Sequence, residues 1–441
     1  MYRIFSASSL PHTRLLIVAC VAVGITLSIR LYAQQIMVHQ GREKILFDSD
    51  WRFHRGGAQG AQEPDFDDHS WRKLDLPHDW SIEDLPGKSS PFDSNAATQV
   101  SGGFTTGGTG WYRKTFQLPL SAKGKQVWIL FEGVYMNADV WINGHHLGNH
   151  PYGYTSFWYD MSPYVQWGKS NVVAVEVKNE GWNSRWYSGS GIYRHVWLML
   201  VDPLHIDLWG VRVITADVGP QQAKVEIQTQ ISNVGTTDAR FHLVTHIFNQ
   251  AHQEVLKTDT AYALPAHQQT SIDQQIMIPH PILWSVDSPH LYSALLEVYR
   301  QDQRIDQENI KFGIRTIAFD AHRGFLLNGK PIKLHGGCVH HDNGPLGARA
   351  FDRAEQRRVA LLKANGFNAI RCAHNPPSPA FLAACDSLGM LVIDEAFDMW
   401  QDAKTPFDYH LYFNHQWQND LTSMIQRDRN HPSVIIWSIG N

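Results

Sequence analysis

The sequence predicts a multidomain β and α/β protein: a jelly-roll β-sandwich, an immunoglobulin-like β-sandwich, and the first half of a (β/α)8 TIM barrel. Three observations support this prediction. Short segments of alternating apolar residues fill the first part of the chain, and a second block of strand-length segments follows Asp202-Pro203. Helical periodicity begins only after about Arg323. The length of 441 residues is enough for roughly two to four domains with their own cores.

The N-terminus has the charge and hydropathy of an export signal. Arg3 and Arg14 precede the apolar segment LLIVACVAVGITLSI, and Arg30 follows it. This pattern predicts a signal peptide over residues 1–33 with cleavage after Ala33, and therefore a periplasmic or secreted protein. An uncleaved membrane anchor is the alternative, although the segment is short for a spanning helix.

The charge and the aromatic content of the chain indicate which classes of ligand it is expected to bind. The net charge is −4 and no long basic or acidic block occurs, which argues against a dedicated nucleic-acid surface. Aromatic residues make up 12% of the chain and gather in polar stretches such as EGWNSRWYSGSGIYR. Rings in polar loops suit ligands that are flat on one side and hydroxylated at the edges, as sugars are. The alternative is that these rings only pack cores and loops.

Residues 45–201 read as the first sandwich. The segments GWYRKTFQL, QVWILFEGV, ADVWINGHHLG and NVVAVEVKN have the length and alternation of strands, and Asn143-Gly144 predicts a hairpin turn. Residues 202–317 contain further strand-length segments whose spacing fits a small immunoglobulin-like sandwich. We see no chemistry in this second block and interpret it as a spacer.

Residues 323–441 alternate between strands and helices. The predicted strands are PIKLHGG, FNAIRCAH, MLVIDEAF and SVIIWSIGN, and a helix is expected over residues 414–429. In DRAEQRRVALLKANG we expect Asp352 to cap the helix and Gly366 to end it. In SPAFLAACDSLG the corresponding positions are Ser378, with Pro379 first in the helix, and Gly389.

This order predicts a parallel sheet that is buried on both faces. No phosphate-binding glycine loop follows the first strand, so a barrel is preferred to a doubly wound sheet. A complete barrel needs ~250 residues, and residues 323–441 therefore supply about half of one. Three cysteines lie beyond the signal segment, too widely spaced for a disulfide framework or a zinc site, and we expect buried thiols: Cys338, Cys372 and Cys385.

Polar side chains follow each predicted barrel strand, at the end where barrels place their functional residues. They are His335, His340, His341, Asp342, Arg371, His374, Asn375, Asp394, Glu395, Asp398 and Asn441. One weak candidate for a metal site is formed by His340, His341, Asp342 and His374. Asp394 and Glu395 are candidate catalytic carboxylates, but neighbours on a strand point to opposite faces. One of the two is therefore expected to pair with a cation or face the barrel interior.

Longer motifs resemble glycoside hydrolase family 2. RDRNHPSVIIWSIGN resembles the acid/base signature of that family, and NAIRCAHNPPSPAFLAACDSLGMLVIDEAFDMW resembles its other signature block. LHGGCVHHDNGPLGA is similar to its first barrel strand, and LPHDW, VWINGHHLG and RWYSGSGIYRHVWL are similar to its sugar-binding domain. The resemblance covers nearly everything after residue 45, and its nearest subgroup is β-galactosidase-like. It implies a retaining glycosidase acting on a terminal β-galactoside of an oligo- or polysaccharide.

The resemblance also implies roles for residues of the barrel mouth. Asn441 would hold the sugar 2-hydroxyl, His340 and His374 would contact the sugar in the −1 site, and Arg371 would orient the pocket. Trp400 would form part of the wall. These assignments rest on position within the matching motifs.

Two segments of the first sandwich are expected to reach the same pocket. Asp79 of LPHDW would enter the barrel mouth, and Arg185 and Trp186 of NSRWYSGSG would approach it. For Asp79 and Arg185 the alternative is a salt link at the interface between domains.

The sequence departs from the family pattern at two places. Some family members bind Mg²⁺ through a Glu and a His after the DEA strand, but this chain has Phe397-Asp398-Met399-Trp400 there, so we expect no metal and no cofactor. The resemblance also places the acid/base Glu directly after Asn441 and the nucleophilic Glu on a later strand. We therefore expect an N-terminal fragment, an interrupted reading frame or half of a two-chain enzyme, inactive alone.

Several alternatives stay open at this point. The substrate is a β-glucuronide or a β-mannoside in other members of the family, and a carbohydrate-binding protein without catalysis would need only the β domains. A homo-oligomer or a complementing C-terminal chain is the expected protein partner. Membrane contact is expected only through the N-terminal segment.

Overall fold

The computed structural model describes residues 41–441, and the predicted signal peptide or anchor at residues 1–33 lies outside the described residues. Among the helices between residues 41 and 441, none combines the length and the apolar character that crossing a membrane requires. Two β-sandwiches are followed by a four-stranded parallel sheet with its helices, which confirms the predicted fold class.

The first sandwich pairs a four-stranded sheet, in the order β1-β10-β5-β8, with a six-stranded sheet, in the order β3-β2-β4-β9-β6-β7. Its strands are β1 (Glu43–Leu46), β2 (Trp51–Arg55), β3 (Arg72–Leu74), β4 (Gly108–Gln117), β5 (Gln126–Phe131), β6 (Ala138–Ile142), β7 (His145–His150), β8 (Phe157–Asp160), β9 (Ser170–Asn179) and β10 (Val196–Val201). All neighbouring strands run antiparallel, as in a jelly roll.

Alternation of apolar residues explains this sandwich. In β9, Val173, Val175 and Val177 face the core between the two sheets. The predicted hairpin is present, because β6 and β7 are joined through Asn143-Gly144 and both residues have positive φ, 51° and 83°. Two adjacent left-handed residues give the turn twist that matches antiparallel strands.

The second sandwich has seven strands in two sheets, β11-β12-β15 and β14-β13-β16-β17, which is an immunoglobulin-like arrangement. The strands are β11 (Leu204–Val218), β12 (Gln222–Asn233), β13 (Ala239–Phe248), β14 (Glu254–Leu264), β15 (Gln268–Pro279), β16 (Tyr292–Arg300) and β17 (Gln303–Phe312). Contacts with the barrel unit hold this sandwich in place. Trp284 Nε1 donates to the Asp386 carbonyl at 2.8 Å, and Asn430 Nδ2 donates to the Val211 carbonyl at 2.8 Å.

A three-stranded antiparallel sheet leads into the parallel sheet, whose order is β21-β22-β23-β24. The antiparallel strands are β18 (Ile317–Asp320), β19 (Gly324–Leu327) and β20 (Lys330–Pro331). The α/β elements are β21 (Gly336–Val339), α1 (Asp352–Ala364), β22 (Ala369–Cys372), α2 (Pro379–Leu388), β23 (Leu391–Glu395), α3 (His410–Asp428) and β24 (Val434–Ser438). Short 3-10 turns occupy Trp80–Ile82, Leu120–Ala122 and Gly344–Leu346.

Helix α2 has the predicted boundaries and α1 does not. Ser378 Oγ accepts from the Phe381 amide, Pro379 begins α2, and Gly389 ends it in the left-handed conformation. The prediction of Asp352 as cap of α1 was wrong, because Phe351 holds that position without a side-chain bond. Asp352 is instead the first helical residue, where its charge still favours the positive end of the helix dipole.

Two other sequence predictions shift in the structure. The strand predicted over PIKLHGG begins only at Gly336, because Lys330–Pro331 pairs with β19 instead. Helix α3 starts at His410, four residues before its predicted start at residue 414.

The expectation of three buried thiols was wrong for Cys338, which is exposed on the edge strand β21, whereas Cys372 and Cys385 are buried.

His195 joins the first sandwich to α1. Its Nδ1 lies 2.5 Å from Asp48 Oδ2 and its Nε2 lies 3.0 Å from Asp352 Oδ1. Burial alone would lower the pKa of His195, but the Asp48 hydrogen bond and the charges of Glu132 and Asp48 outweigh it and raise the pKa to about 9. The imidazolium is therefore the folded form near neutral pH.

This pKa predicts a window of pH-dependent stability. The contribution of His195 is fully present below its unfolded pKa of ~6.5 and is lost as the pH rises through about 9. The free energy of unfolding of His195→Gln should therefore fall less between pH 6.5 and pH 9.5 than that of the unmodified chain, by on the order of 3 kcal/mol. Urea unfolding at the two pH values measures this difference. His415→Gln, at an exposed histidine of α3, is the matched control, and equal pH dependence in both variants would contradict the assignment.

Candidate functional site

The carboxyl ends of β21 to β24 converge on one polar pocket. We define the strand-end pocket by His340, Arg371, His374, Asp398 and Asn441, which follow or end these four strands. Parallel strands bring their carboxyl ends to the same edge of a sheet, which is why residues as far apart in the sequence as His340 and Asn441 meet here.

Glu395, the last residue of β23, ties three strand ends together at the base of the pocket. Arg371 donates to it in a bidentate manner, from Nε to Oε2 at 2.9 Å and from Nη2 to Oε1 at 2.8 Å. Ser438 Oγ donates to Oε2 at 2.8 Å, and His374 Nδ1 lies 2.9 Å from Oε1. Charged, bidentate hydrogen bonds are among the strongest in proteins, so this arrangement fixes Arg371 and His374.

The carboxylate of Asp398 accepts hydrogen bonds from side chains of three separate segments. Arg185 Nε of the first sandwich donates to Oδ2 at 2.8 Å, Lys404 Nζ to Oδ1 at 3.0 Å, and Asn441 Nδ2 to Oδ1 at 3.0 Å. The carboxylate is only 4% exposed. Burial alone would raise the pKa of Asp398, but the hydrogen bonds from Arg185, Asn441 and Lys404 hold it far below its usual range.

The two contacts of the Asn441 side chain fix the orientation of its amide. Nδ2 faces Asp398, and Oδ1 accepts from Arg371 Nη2 at 3.4 Å. Lys404 Nζ also lies 3.3 Å from the Asn441 carbonyl oxygen. Asp398, Lys404 and Arg371 therefore act as positioning residues for Asn441.

The two pocket histidines keep one ring nitrogen for a ligand. His340 Nδ1 lies 2.7 Å from the Ala373 carbonyl and must donate to it, and His374 Nδ1 lies 2.9 Å from Glu395 Oε1 and 3.2 Å from Arg371 Nη2. The ring centroids are 5.8 Å apart, and each ring has its Nε2 atom as the nitrogen that is not used in these contacts. Tyr187 stacks on His340 at 4.0 Å and fixes that ring.

The loop of the first sandwich that carries Arg185 reaches the pocket. Arg185 does so through Asp398, with 38% of its side chain exposed. Trp186 contacts the His340 ring edge to face at 5.7 Å. Trp400 lies against Gly440, since a Cβ at Gly440 would sit 2.4 Å from Trp400 Nε1. Arg185, Trp400, Arg371, His340, His374 and Asn441 therefore lie together, as the sequence predicted, whereas their contacts with a sugar stay predictions.

Asp79 is not one of the residues that meet in the strand-end pocket. It is 1% exposed and its oxygens accept from Ser81 N at 2.9 Å, Ser190 N at 2.8 Å and Ala348 N at 2.9 Å. Ala348 belongs to the loop that follows β21, so Asp79 does bring the first sandwich to the carboxyl-end face of the barrel strands. The protein already satisfies its carboxylate, and a contact between Asp79 and a sugar stays a prediction. The interface alternative fits, with a buried hydrogen-bonded carboxylate instead of a salt link.

Neither carboxylate of the Asp394-Glu395 pair opens to the pocket. Glu395 is held by Arg371, and Asp394 points to the opposite face of β23, where it is fully buried. Burial and the nearby charge of Asp428 raise the pKa of Asp394 well above its usual range. The ion-pairing alternative is confirmed for Glu395, which pairs with Arg371, and the geometry gives no support to a catalytic role for either carboxylate.

The metal hypothesis finds no support in the geometry of the described residues. Within residues 41–441 no three His, Cys, Asp or Glu side chains are grouped as metal ligands would be. His341, one of the four candidates, is half-buried, with Nε2 3.3 Å from the Ser188 carbonyl and its ring against Tyr154 and Tyr193. Burial lowers the pKa of His341 well below its usual range.

Sequence reasoning did not assign two residues that organise the pocket. Asp398 was visible as a polar residue just after β23, and that position is the signal that would have found it. Lys404 stands in the loop between β23 and α3, where no periodicity or motif marks a lysine as functional. Its role becomes visible only from the distance to Asp398.

Three family models match consecutive parts of the chain. "Glycosyl hydrolases family 2, sugar binding domain" matches residues 76–203, "Glycosyl hydrolases family 2" matches residues 204–315, and "Glycosyl hydrolases family 2, TIM barrel domain" matches residues 320–441. All three models describe parts of one family, in the order found in that family.

Known proteins are similar along most of the chain. The β-galactosidase BoGH2A of Bacteroides ovatus is 45% identical over 401 residues, covering 91% of this chain and 46% of that protein. A β-glucuronidase of Formosa agariphila is 30% identical over 445 residues, covering 92% and 43%. The crystal structure of a glycosyl hydrolase family 2 member from Bacteroides cellulosilyticus has a TM-score of 0.89 and 51% identity, covering 90% and 51%. The chain thus spans about half the length of these relatives.

The interface role of Asp79 predicts a large loss of stability on a small change. Asp79→Asn replaces one accepting oxygen by an NH2 group that faces backbone donors, so the free energy of unfolding should fall by about 2 to 4 kcal/mol. Urea unfolding measures the loss. Asp84→Asn, at an exposed aspartate of the same loop, should change stability by less than about 0.5 kcal/mol. An Asp79→Asn chain as stable as this control would contradict the interface role.

Proposed function

The chain belongs to glycosyl hydrolases family 2, and we propose that it forms the sugar-binding part of a retaining glycosidase that acts on terminal β-galactosides. One observation carries the proposal: the strand-end pocket brings together an oriented amide and two imidazole rings that each have Nδ1 held by the protein. Asn441 and the Nε2 atoms of His340 and His374 offer the donors and acceptors that vicinal hydroxyl groups need.

The charge of the pocket supports a neutral sugar. Among the described residues, each arginine or lysine that we place at the pocket already pairs with a carboxylate. Arg371 pairs with Glu395, and both Arg185 and Lys404 pair with Asp398. A sugar carboxylate would have to compete with these pairs, whereas hydroxyl groups need no such exchange. A β-galactosidase that is 45% identical also supports a galactoside.

A β-glucuronide is the second candidate. Its support is the similarity to a β-glucuronidase over 92% of this chain at 30% identity. The two candidates differ at one substituent, a hydroxymethyl group or a carboxylate, so matched pairs of ligands distinguish them.

In the proposed mechanism the residues of the strand-end pocket bind and orient the sugar. Retaining glycosidases use two carboxyl groups ~5–5.5 Å apart, one as acid/base and one as nucleophile. The resemblance places the acid/base Glu directly after Asn441, so the network around Asp398 and Arg371 would also fix the backbone that leads into it.

Binding without turnover is the expected behaviour of the chain. Methyl β-galactopyranoside should bind, and His374→Ala should weaken binding about tenfold because one hydrogen bond to the sugar is lost. Isothermal titration calorimetry measures both dissociation constants, with His415→Ala as the control at an exposed histidine. Tighter binding of methyl β-glucuronide than of the galactoside would contradict the preferred substrate.

The same proposal predicts no hydrolysis of p-nitrophenyl β-galactoside by this chain alone. Neither of the two pocket carboxylates, Glu395 and Asp398, is free to act, since each is enclosed by cationic donors. The rate of p-nitrophenol release measures the outcome. Release above the rate of the Asp398→Asn chain would contradict the view that the catalytic carboxyl groups must be supplied by other residues.

A further inference from the structure

A cleft outside the strand-end pocket lies between the second sandwich and the elements α3 and β24. Its volume is about 730 Å³, which is within the range of sites that hold small molecules. Three arginines line it: Arg212 on β11, Arg315 in the segment after β17, and Arg429 directly after α3. The five residues that define the strand-end pocket are not part of its lining. We call it the arginine cleft.

The arginine cleft has no acidic lining within the part of the chain that the structure describes. The charge of Asp386 reaches Arg315, but this carboxylate is already engaged. It accepts from the Ser433 amide at 3.1 Å and lies 2.5 Å from His431 Nδ1. The cleft therefore differs from the strand-end pocket, where the cations are paired with carboxylates.

The guanidinium groups keep donors that the protein does not use. Arg315 Nη2 donates to the Val434 carbonyl and Arg429 Nη2 to the Trp209 carbonyl, both at 2.6 Å. The Nε atoms of these two arginines are buried and have no hydrogen-bond partner among the described residues. Arg212 is exposed and forms no ion pair within residues 41–441. Because a buried donor without an acceptor is costly, an acceptor in the cleft would be stabilised.

The positive charges of the cleft act on one another. Burial lowers the pKa of Arg429, and the charge of Arg212 lowers it further. Burial also lowers the pKa of Arg315, to about 10, and the opposing effect of Asp386 is smaller. Lost hydration and a neighbouring like charge both destabilise a cation, and an anion in the cleft would offset both effects. Guanidinium groups bind oxyanions with short, often bidentate hydrogen bonds.

We propose that the arginine cleft binds a tetrahedral oxyanion, a phosphate or a sulfate group, through Arg212, Arg315 and Arg429. The group is either a free ion or part of a larger molecule, and the recognition chemistry is the same in both cases. Because Arg212 belongs to the second sandwich and Arg429 follows α3, the bound anion also joins these two units. The site is independent of the proposed function, since it needs no sugar in the strand-end pocket.

Isothermal titration calorimetry of the full chain with inorganic phosphate and with inorganic sulfate tests the site, in chloride buffer of constant ionic strength. Both anions should bind, and Arg212→Gln should weaken both about tenfold because one charged hydrogen bond is lost. Arg240→Gln is the matched control, because it removes the same charge from an exposed position on β13. It should leave both dissociation constants unchanged. Absence of saturable binding, or equal weakening in Arg240→Gln, would overturn the proposal.

Dextran sulfate and uncharged dextran distinguish the two sources of the oxyanion. Dextran sulfate that binds more tightly than inorganic sulfate, in a manner that depends on Arg212, indicates a group carried by a larger molecule when dextran itself does not bind. Otherwise the free ion is the source. An acidic polypeptide is the competing occupant. Binding of poly-glutamate that depends on Arg212, with no binding of phosphate, sulfate or dextran sulfate, would contradict the proposal.

Arg212→Glu separates lost binding from lost folding. It places a carboxylate near Arg429, so without phosphate the urea midpoint of unfolding should be no lower than that of the unmodified chain. Phosphate should raise the midpoint of the unmodified chain, because a ligand that binds only the folded state stabilises it. The midpoint of Arg212→Glu should rise less. An equal rise in both chains would mean that phosphate acts on stability without this site, and the proposal would fail.

Discussion

The buried carboxylate of Asp398 is the constraint on which the site depends. A carboxylate that is 4% exposed is costly unless cations and hydrogen-bond donors replace its water. The chain satisfies Asp398 with Arg185 from the first sandwich, Lys404 from the loop before α3, and Asn441 after β24. Satisfying one charge therefore brings a loop of one domain and two segments of another to the same place.

β23 separates two neighbouring carboxyl groups by the pleat of the strand. Glu395 faces the strand-end pocket, where Arg371, His374 and Ser438 surround it. Asp394 faces the opposite side, where burial and Asp428 raise its pKa well above the usual range. Glu395 therefore forms an ion pair inside the pocket and Asp394 is buried outside it, so neither carboxyl group is free to attack or protonate a ligand. The polar groups of the pocket that are not carboxylates or cations are the Asn441 amide and the imidazole groups of His340 and His374.

The fold could be predicted from the sequence because its signals are local and repeated. Alternation in β4, β5 and β9, the Asn143-Gly144 turn and the cap at Ser378 each depend on a few neighbouring residues. The exceptions show competition from tertiary contacts. Residues 330–331 pair with β19 instead of extending β21, and Asp352 binds His195 instead of capping α1.

The site could be predicted only in part for the same reason. Arg371, His374 and Asn441 lie at strand ends, where the sequence marks them, but their partners depend on distances across domains. Asp79 has the same motif context as a pocket residue, yet Ser81, Ser190 and Ala348 enclose its carboxylate. Lys404 has no sequence signal. Which polar group faces a ligand and which ties two domains together is decided by packing, which sequence periodicity does not encode.

The central claim is that Asp398 couples the first sandwich to the barrel strands through Arg185. A double-mutant cycle tests it most directly, with the free energy of unfolding measured in urea for the unmodified chain, Arg185→Ala, Asp398→Asn and the double variant. The account predicts strong coupling: the double variant should be more stable than the sum of the single losses implies, by at least about 1 kcal/mol. Losses that add to within about 0.5 kcal/mol would contradict it.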